Sequence, residues 1–315
     1  MKKIKKILIV VVICVFAIGI VKDQIIKSVV TVVATQVVGA PVHINGFSLG
    51  IFKQSVKISG FRIYNPKGFS KGILVDLPKI NVSYDLGSVL KQKLHLPNVE
   101  IELKEMGLEK NNKGELNVDS LKVVKEGKGK DAKPAPQMPL QLDIVKLGIG
   151  KIVLKDYSAG KAPVIKVYDI NINKTYKNIN SAQQLAALIF AEPMKAAGIQ
   201  GAKIYGVAML AGAAVLPVAV AAKFIGKDSV QQDFTEDFDS VFAESSLVLK
   251  KMGRITKENK SSGSLSAEVN GAQVYVKVTE KSDNKTAVVI SARKFLLPKP
   301  EIAGGILYEL SARLK

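Results

Sequence analysis

The fold is decided by the segment from Val56 to Phe69, VKISGFRIYNPKGF. Apolar residues occupy every second position at its start, which is typical of a strand with one buried face. At Gly60 the alternation slips by one residue and resumes at Phe61 and Ile63, and such a slip at glycine indicates a β-bulge. Asn65-Pro66 ends the strand, because proline fixes its own φ and favours extended geometry in the residue before it.

The period of two continues on both sides of this segment, between turns that are rich in Gly, Asn and Pro. Antiparallel strands with one buried and one wet face alternate in this way, so the pattern predicts a half-buried antiparallel sheet. Its apolar side is expected to face either the protein's own core or a lipid chain. The candidate positions on that side are Val56, Ile58, Phe61, Ile63, Ile80, Val82, Val99 and Ile101.

Composition narrows the class of protein. The 315 residues are 47% hydrophobic, which excludes global disorder, and the formal net charge is +19. Nearly all of the cations are lysine and aromatic residues are sparse, whereas a protein that binds nucleic acid more often carries arginine and stacking aromatics. The lysines fit either attraction to anionic lipid or a general lysine bias. One cysteine, Cys14, and two histidines exclude a Cys/His metal centre, and no cofactor is predicted.

The N-terminus predicts a membrane anchor. Met1–Lys6 is cationic, and Ile7–Val21 is an uninterrupted apolar run that is slightly short for a hydrocarbon core of about 30 Å unless the flanking lysines snorkel. A cleaved signal peptide is the alternative, but no small-x-small site follows soon after Val21. Lysines before the run place the N-terminus in the cytoplasm. A helical pattern continues from Ile25 to Val38 and stops at Gly39.

A second uncharged run extends from Ile204 to Ala222 and contains Pro217. Its length permits a second membrane span, and its Gly and Ala content suits close helix packing in a membrane. A buried or interfacial helix pair broken at the proline explains the same residues. Lysines flank both ends of the run, so the charge distribution does not decide between the two interpretations.

The C-terminal region predicts a small α-β-β-β-β-α unit. An amphipathic helix from Phe234 to Met252 is followed by four strands and a closing helix from Ile302 to Leu314. Asn270-Gly271 is the strongest hairpin signal, because both residues accept the positive φ of a type I′ turn. The predicted strands are Arg254–Asn259, Ser264–Val269, Ala272–Glu280 and Thr286–Arg293.

These patterns divide the chain into four parts. Residues 1–38 are the anchor and the helix after it, and residues 39–190 form the first β-rich domain, with a charged Gly/Pro-rich linker at 124–139. Residues 191–227 form an apolar helical segment, and residues 228–315 form the α+β domain. The fold class is therefore α+β, with an N-terminal transmembrane helix and an antiparallel sheet before the C-terminal domain.

No motif in the sequence predicts catalysis. Asn65-Pro66-Lys67-Gly68 lacks the glycine spacing and the Lys-Ser/Thr ending of a phosphate loop. No serine lies in a nucleophile-elbow context. Asp156-Tyr157 follows a strand and fits a turn in which the aspartate caps the backbone. The protein is therefore predicted not to be an enzyme.

Four segments carry a resemblance to the AsmA-like family of bacterial envelope proteins. They are GAPVHINGFSLG, VKISGFRIYNPKGF, DLPKINVSYDLGSVL and VEIELKEMGLEKNNKGELNVDSL, and the resemblance covers about the first 190 residues. It implies a long curved sheet like that of chorein-type lipid-transfer proteins, with an apolar groove for phospholipid. The chain is too short to span a periplasm alone. The region from about Ala208 resembles small bacterial lipoproteins of unknown function, which implies no activity.

Two functional hypotheses follow. The first is a non-enzymatic envelope protein of the bacterial inner membrane, with its bulk in the periplasm, that binds or shields phospholipid acyl chains and supports envelope biogenesis. Membrane lipid is then its partner. The second is a structural or assembly protein that docks another envelope protein through a sheet edge or the C-terminal domain. Nucleic acid is not expected as a partner, and the sequence leaves the oligomeric state open.

Overall fold

The computed structural model describes residues 21–122, 139–158, 160, 162–199, 229–281 and 285–314. These residues form an α+β fold with two mostly antiparallel sheets and five helices, which confirms the predicted fold class at that level. The first sheet contains β1 (Val42–Gly50), β2 (Ser55–Tyr64), β3 (Ile73–Ser83), β4 (Leu94–Lys110), β5 (Leu140–Asp156) and β6 (Val164–Ile179). The second contains β7 (Ser229–Phe234), β8 (Arg254–Asn259), β9 (Ser264–Val269), β10 (Ala272–Glu280), β11 (Thr286–Lys294) and β12 (Leu297–Pro298). The helices are α1 (residues 21–38), α2 (Leu86–Leu90), α3 (Ala182–Ala196), α4 (Phe238–Met252) and α5 (Pro300–Arg313).

The predicted membrane spans lie almost entirely outside the described residues. Among the helices that the structure describes, none is both long and apolar enough to cross a bilayer. Of the run Ile7–Val21 only Val21 is described, and the run Ile204–Ala222 lies wholly outside the described ranges. The predicted linker at 124–139 is described only at its last residue.

The strands of the first sheet lie side by side in chain order, and one neighbouring pair is parallel. Four pairs are antiparallel as predicted, whereas β4 and β5 run in the same direction. The chain between Lys110 and Leu140 is long enough to return to the starting end of β4, where Leu94 N–H donates to the Pro139 carbonyl at 2.8 Å. Successive side chains point to opposite faces of the sheet in both kinds of pair, so the period of two could not distinguish them.

The change of alternation at Gly60 is one of several that occur at the same level in neighbouring strands of the first sheet, and we call this line across the sheet the seam. Gly60 has a φ of +59°, yet β2 keeps one register with β1 and with β3 on both sides of it, so the predicted local bulge is wrong. The buried side chains of neighbouring strands change parity at the same level, between Leu77 and Ile80, Leu103 and Met106, and Ile149 and Ile152. In β5 the slip includes a register shift against β6 between Ile149 and Lys151. The neighbouring strands therefore slip together, which keeps the apolar side chains on one face.

Helix α1 turns back along the edge strand β1. Its predicted stop at Gly39 is confirmed: that glycine has a φ of +75°, and its N–H donates to the Thr35 carbonyl at 2.9 Å. The Thr35 hydroxyl oxygen in turn accepts a hydrogen bond from Val42 N–H at 3.2 Å. At the other end of the helix, Lys22 Nζ donates to the Leu49 carbonyl at 2.8 Å. These bonds hold α1 antiparallel to β1 along its whole described length.

The second sheet contains the four predicted strands and two more. The hairpin at Asn270-Gly271 is confirmed, with φ of 52° and 69°. Residues 229–234, which the sequence left outside the strands, pair with β11 as strand β7; their polar sequence SVQQDF carries little strand signal. Helix α4 begins after Asp237, whose carboxylate accepts the Ser240 N–H at 2.8 Å, and not at Phe234 as predicted.

Helix α5 lies between the two sheets. On one side its apolar residues belong to the core of the second sheet, with Ile306 and Leu310 almost fully buried. On the other side Gly304 and Gly305 meet β6. A Cβ on Gly305 would overlap the carbonyl oxygen of Ile165, so only glycine allows the helix this close to the strand. Glycine is therefore required where α5 meets the first sheet.

Polar contacts reinforce the packing of α5 on the first sheet. The Tyr308 hydroxyl donates to Glu105 Oε1 at 3.1 Å, and Lys151 Nζ lies 5.1 Å from the centre of the Tyr308 ring. Burial, with Glu105 nearby, raises the pKa of Tyr308 to about 12. Glu105 and Lys151 lie on the face of the sheet opposite to Met106 and Ile152. Near the ends of β4 and β5 the first sheet is therefore covered on both faces.

Candidate functional site

The eight predicted lipid-facing residues are brought together on the first sheet. Two rows of paired side chains cross β2, β3 and β4: one joins Val56, Val82 and Val99, and the other joins Ile58, Ile80 and Ile101. Phe61 and Ile63 lie beyond the seam. Four of the eight are buried, namely Ile63, Ile80, Val99 and Ile101, and four are partly buried, namely Val56, Ile58, Phe61 and Val82. All except Val56 belong to one hydrophobic cluster or pack against it.

Two helices contribute to the same cluster. Helix α3 supplies Leu188, Phe190 and Met194, each at most 1% exposed, and α1 supplies Val38 with Val30 packed beside it. The structure therefore places the four buried candidates in the protein's own core, which is the first of the two environments that the sequence allowed. Of the eight candidates, only the four partly buried ones keep appreciable side-chain surface exposed.

A buried ion pair holds α3 on the sheet. Glu192 is 2% exposed, and its carboxylate accepts a hydrogen bond from Lys174 Nζ of β6. Tyr176, two residues further along β6, has its pKa raised by burial and by the negative charge of Glu192. Burial lowers the pKa of Lys195, on the next turn of the helix. The alternating sequence contains no signal for this pair, because Glu192 occupies an inward position on an otherwise apolar helix face.

Helix α1 presents an exposed apolar stripe on the side away from the cluster. The stripe recurs at helical spacing and consists of Val21, Ile25, Val29, Val32, Val33 and Val37, which are 38–59% exposed. Helices of a water-exposed domain normally place polar residues on the outer side. This stripe is the most extended exposed apolar feature that we find on a described helix, and it follows directly after the run Ile7–Val21 in the chain.

A histidine between two carboxylates lies at the β1–β2 turn end of the sheet. His95 Nε2 lies 2.7 Å from Asp143 Oδ2, and His95 Nδ1 lies 3.6 Å from Asp85 Oδ2. The hydrogen bond to Asp143 is the main cause that raises the pKa of His95 above 6.5. Hydrogen bonds from Gln141 and then His95 lower the pKa of Asp143, and bonds from Ser88 lower that of Asp85. The cluster ties α2, β4 and β5 together.

We expect the His95 imidazole to titrate above pH 6.5 in the folded protein. Because the pKa of His95 is raised in the folded protein, the imidazole stabilises the fold fully below pH 6.5, and this contribution is lost as the pH rises through the pKa of the folded protein. The pKa values of Asp85 and Asp143 are lowered, so these carboxylates stabilise the fold above about pH 4, and their contribution is lost as the pH falls. The cluster should thus stabilise the fold most between about pH 4 and 6.5. Histidine-selective NMR of the His43→Asn variant, which retains one histidine, measures the midpoint. Adding Asp143→Asn to this variant should lower the midpoint. A midpoint at or below pH 6.5 with Asp143 intact would contradict the assignment.

The opposite end of the sheet joins the Asn65-Pro66 turn to the segment around Asn117. Asn117 Nδ2 donates to Asn65 Oδ1 at 2.7 Å and to the Gly107 carbonyl at 2.9 Å. Both carboxylate oxygens of the buried Glu109 accept hydrogen bonds from Ser70. The Asn65-Pro66 turn and the segment containing Asn117 therefore hold each other in place, because their polar groups bond to each other. This pairing leaves no signal in the sequence, since Asn65 and Asn117 are far apart in the chain.

An open pocket of about 670 Å³ lies beside this turn and is lined by Ser70, Glu109, Asn111, Asn112, Tyr157, Ser158 and Gly160. Burial raises the pKa of Tyr157, and the charge of Glu109 adds to the effect. The Glu109 carboxylate accepts its two hydrogen bonds from Ser70 at the edge of this pocket. Asp156, predicted as a turn cap, accepts the Ser158 N–H at 3.0 Å.

Within the described ranges, no group of three or more His, Cys, Asp or Glu side chains is arranged to hold a metal ion. No protein family model matches the chain, and no curated protein is significantly similar to it.

Proposed function

We propose that the protein is a membrane-anchored, non-enzymatic protein of the bacterial cell envelope whose apolar surfaces bind phospholipid acyl chains. In this proposal the run Ile7–Val21 crosses the inner membrane, the N-terminus lies in the cytoplasm and the two sheets lie in the periplasm. We also propose that the first sheet has the long curved form of the AsmA-like family and that the protein has a role in envelope biogenesis. The observation that carries it is the exposed stripe on α1.

The stripe supports lipid binding because its exposure costs free energy that a lipid chain could recover. Full burial of one Val or Ile side chain is worth roughly 1.5–3 kcal/mol, and the six residues of the stripe are about half exposed. Covering the stripe would thus contribute several kcal/mol, on the order of what one acyl chain needs to bind. The partly buried candidates Ile58, Phe61 and Val82 add apolar surface on the neighbouring sheet.

The alternative is a structural or assembly protein that docks a partner through a sheet edge. The edge strand β1 lies beside α1, and the start of β6 lies under α5. The edge strand β8 carries Arg254, Lys257 and Glu258, and charged residues on an edge oppose pairing with another strand. These observations favour the lipid hypothesis over edge docking. Docking of a protein on the α1 stripe itself is distinguished by experiment.

We expect a photoreactive amino acid at Val29 to crosslink to phospholipid in the full-length protein in its native membrane. The matched control is Leu247, which is also a helical, half-exposed apolar position, 47% against 57% for Val29, but lies on α4. Mass spectrometry of the adducts should find lipid at Val29 and not at Leu247. An adduct with protein alone would support the docking alternative, and equal lipid labelling at both positions would refute a specific surface.

A further inference from the structure

We infer that one end of the first sheet docks onto the anionic surface of a membrane. This surface, here named the tip, consists of Ile51, Phe52 and Lys53 in the β1–β2 turn and Leu90, Lys91 and Lys93 in and after α2. The inference goes beyond acyl-chain binding by the α1 stripe, and it rests on the proposed membrane anchoring. The occupant is a bilayer with anionic headgroups.

Both loops of the tip expose large apolar side chains to solvent. Phe52 is fully exposed and Leu90 is 78% exposed, with Ile51 at 45%. Single exposed apolar residues are ordinary on protein surfaces, but two loop apices that both present large apolar side chains form a patch. Short loops that carry an aromatic and a leucine at their apex are suited to the boundary between headgroups and acyl chains.

Hydrogen bonds join the two loops into one surface. The Gln54 side-chain oxygen accepts the Leu86 N–H at 2.9 Å, and the Gln54 carbonyl accepts the Tyr84 N–H at 3.0 Å. The first bond connects the β1–β2 turn to the start of α2, and the second connects the same turn to the end of β3. The His95 cluster holds the other side of α2 through Asp85. The apolar apices therefore keep a fixed arrangement relative to each other.

The charges of the tip identify the occupant. Lys53, Lys91 and Lys93 are all exposed, and long lysine side chains reach anionic headgroups while apolar neighbours insert. The acidic groups at this end have cationic or hydrogen-bonding partners: Asp23 bonds to Lys22 at 2.7 Å, and Asp85 bonds to Ser88. An exposed cationic rim around apolar apices complements an anionic bilayer better than it complements an apolar protein groove.

The position of α1 places the tip next to the predicted anchor. The Leu49 carbonyl accepts a hydrogen bond from Lys22, and the Leu49 N–H donates to Asp23 Oδ1 at 3.1 Å. These bonds hold the start of the described part of α1 against the last residues of β1, immediately before the tip. The uncharged run Ile7–Val21 precedes that point in the chain. The tip is therefore the part of the described fold that lies beside the end of the anchor.

Single tryptophans test this inference, because the chain contains none. Phe52→Trp and the control Phe295→Trp, which replaces an 89% exposed residue in the β11–β12 turn, are prepared in the full-length protein. Both are reconstituted in nanodiscs with phosphatidylglycerol and brominated phospholipids. The Trp at position 52 should emit at shorter wavelength and lose most of its fluorescence to the bromines, whereas the Trp at 295 should lose little.

Replacement of the three tip lysines by glutamine, in the Phe52→Trp background, should relieve much of the quenching, since each lysine near an anionic surface strengthens binding by about fivefold. Nanodiscs in which phosphatidylcholine replaces the phosphatidylglycerol, with the brominated lipid unchanged, should have the same effect. Equal quenching at positions 52 and 295 in a nanodisc-bound protein would refute docking of the tip on the membrane without refuting the proposed membrane anchor. A protein that does not incorporate into nanodiscs would instead refute the proposed membrane anchoring.

Discussion

Replacing Lys174 by methionine should lower the free energy of unfolding of the first sheet by about 2–4 kcal/mol. The change leaves the Glu192 carboxylate buried beneath α3 without its ion-pair partner, and an unpaired buried charge is strongly destabilising. Fully buried pairs lose roughly 3–5 kcal/mol in this way. We expect less here because Lys174 is 27% exposed, so water can partly solvate the remaining carboxylate.

A double-mutant cycle with Glu192→Met separates the pair from its surroundings. The double variant, with methionine at both positions, should recover much of the stability lost in Lys174→Met, because an apolar pair of similar size removes the buried charge. Lys146→Met is the control, since Lys146 pairs with Glu100 on an exposed part of the same sheet. Urea denaturation monitored by circular dichroism measures all four variants. A loss in Lys174→Met no larger than in Lys146→Met would show that the pair does not hold α3.

Replacing Gly305 by alanine should loosen the contact between α5 and the first sheet, although alanine is the better helix former. The added Cβ would overlap the Ile165 carbonyl oxygen, a backbone atom that cannot move aside without distorting β6. Overpacking of this kind costs about 1–3 kcal/mol. The helix propensity of alanine returns about 1 kcal/mol of that loss. The net effect is therefore best measured against a second alanine in the same helix.

Gly304→Ala provides this comparison, because it gains the same propensity at the neighbouring position. Its Cβ would lie 3.2 Å from the Val167 Cβ, which is a tight contact but not an overlap. Hydrogen exchange of residues 164–168 should increase in Gly305→Ala and change little in Gly304→Ala, and the thermal midpoint should follow the same order. Equal exchange in the two variants would mean that α5 does not depend on close approach to β6.

Together these contacts describe how the first sheet is covered. Helix α3 is held over one face by the buried pair, and α5 is held against the other face by its glycines and Tyr308. The candidates Ile80, Val99 and Ile101 are buried in the same hydrophobic cluster as residues of α3. Large apolar side chains remain exposed on α1 and on the tip, as they do in the β11–β12 turn of the second sheet.

Part of the candidate site was predictable because alternation depends on local geometry. Val56 to Ile63 carry the signal of a half-buried strand, and cross-strand pairing then places Ile58, Ile80 and Ile101 in one row. The pattern could not show that α3 packs on β5 and β6 and contributes to the same hydrophobic cluster, since its residues are far away in the chain. It also could not show that Phe52 is exposed, because a turn residue carries no periodicity.

The sequence alone determined the features that depend on neighbouring residues: the strand periodicity, the helix stop at Gly39 and the hairpin at Asn270-Gly271. Each follows from the φ and ψ values that a residue and its neighbours permit. Only the tertiary structure decided that β4 and β5 are parallel, that the phase slip at Gly60 crosses the sheet, and that α5 packs between two sheets. These features depend on contacts between distant residues, and such contacts leave no periodic trace in the chain.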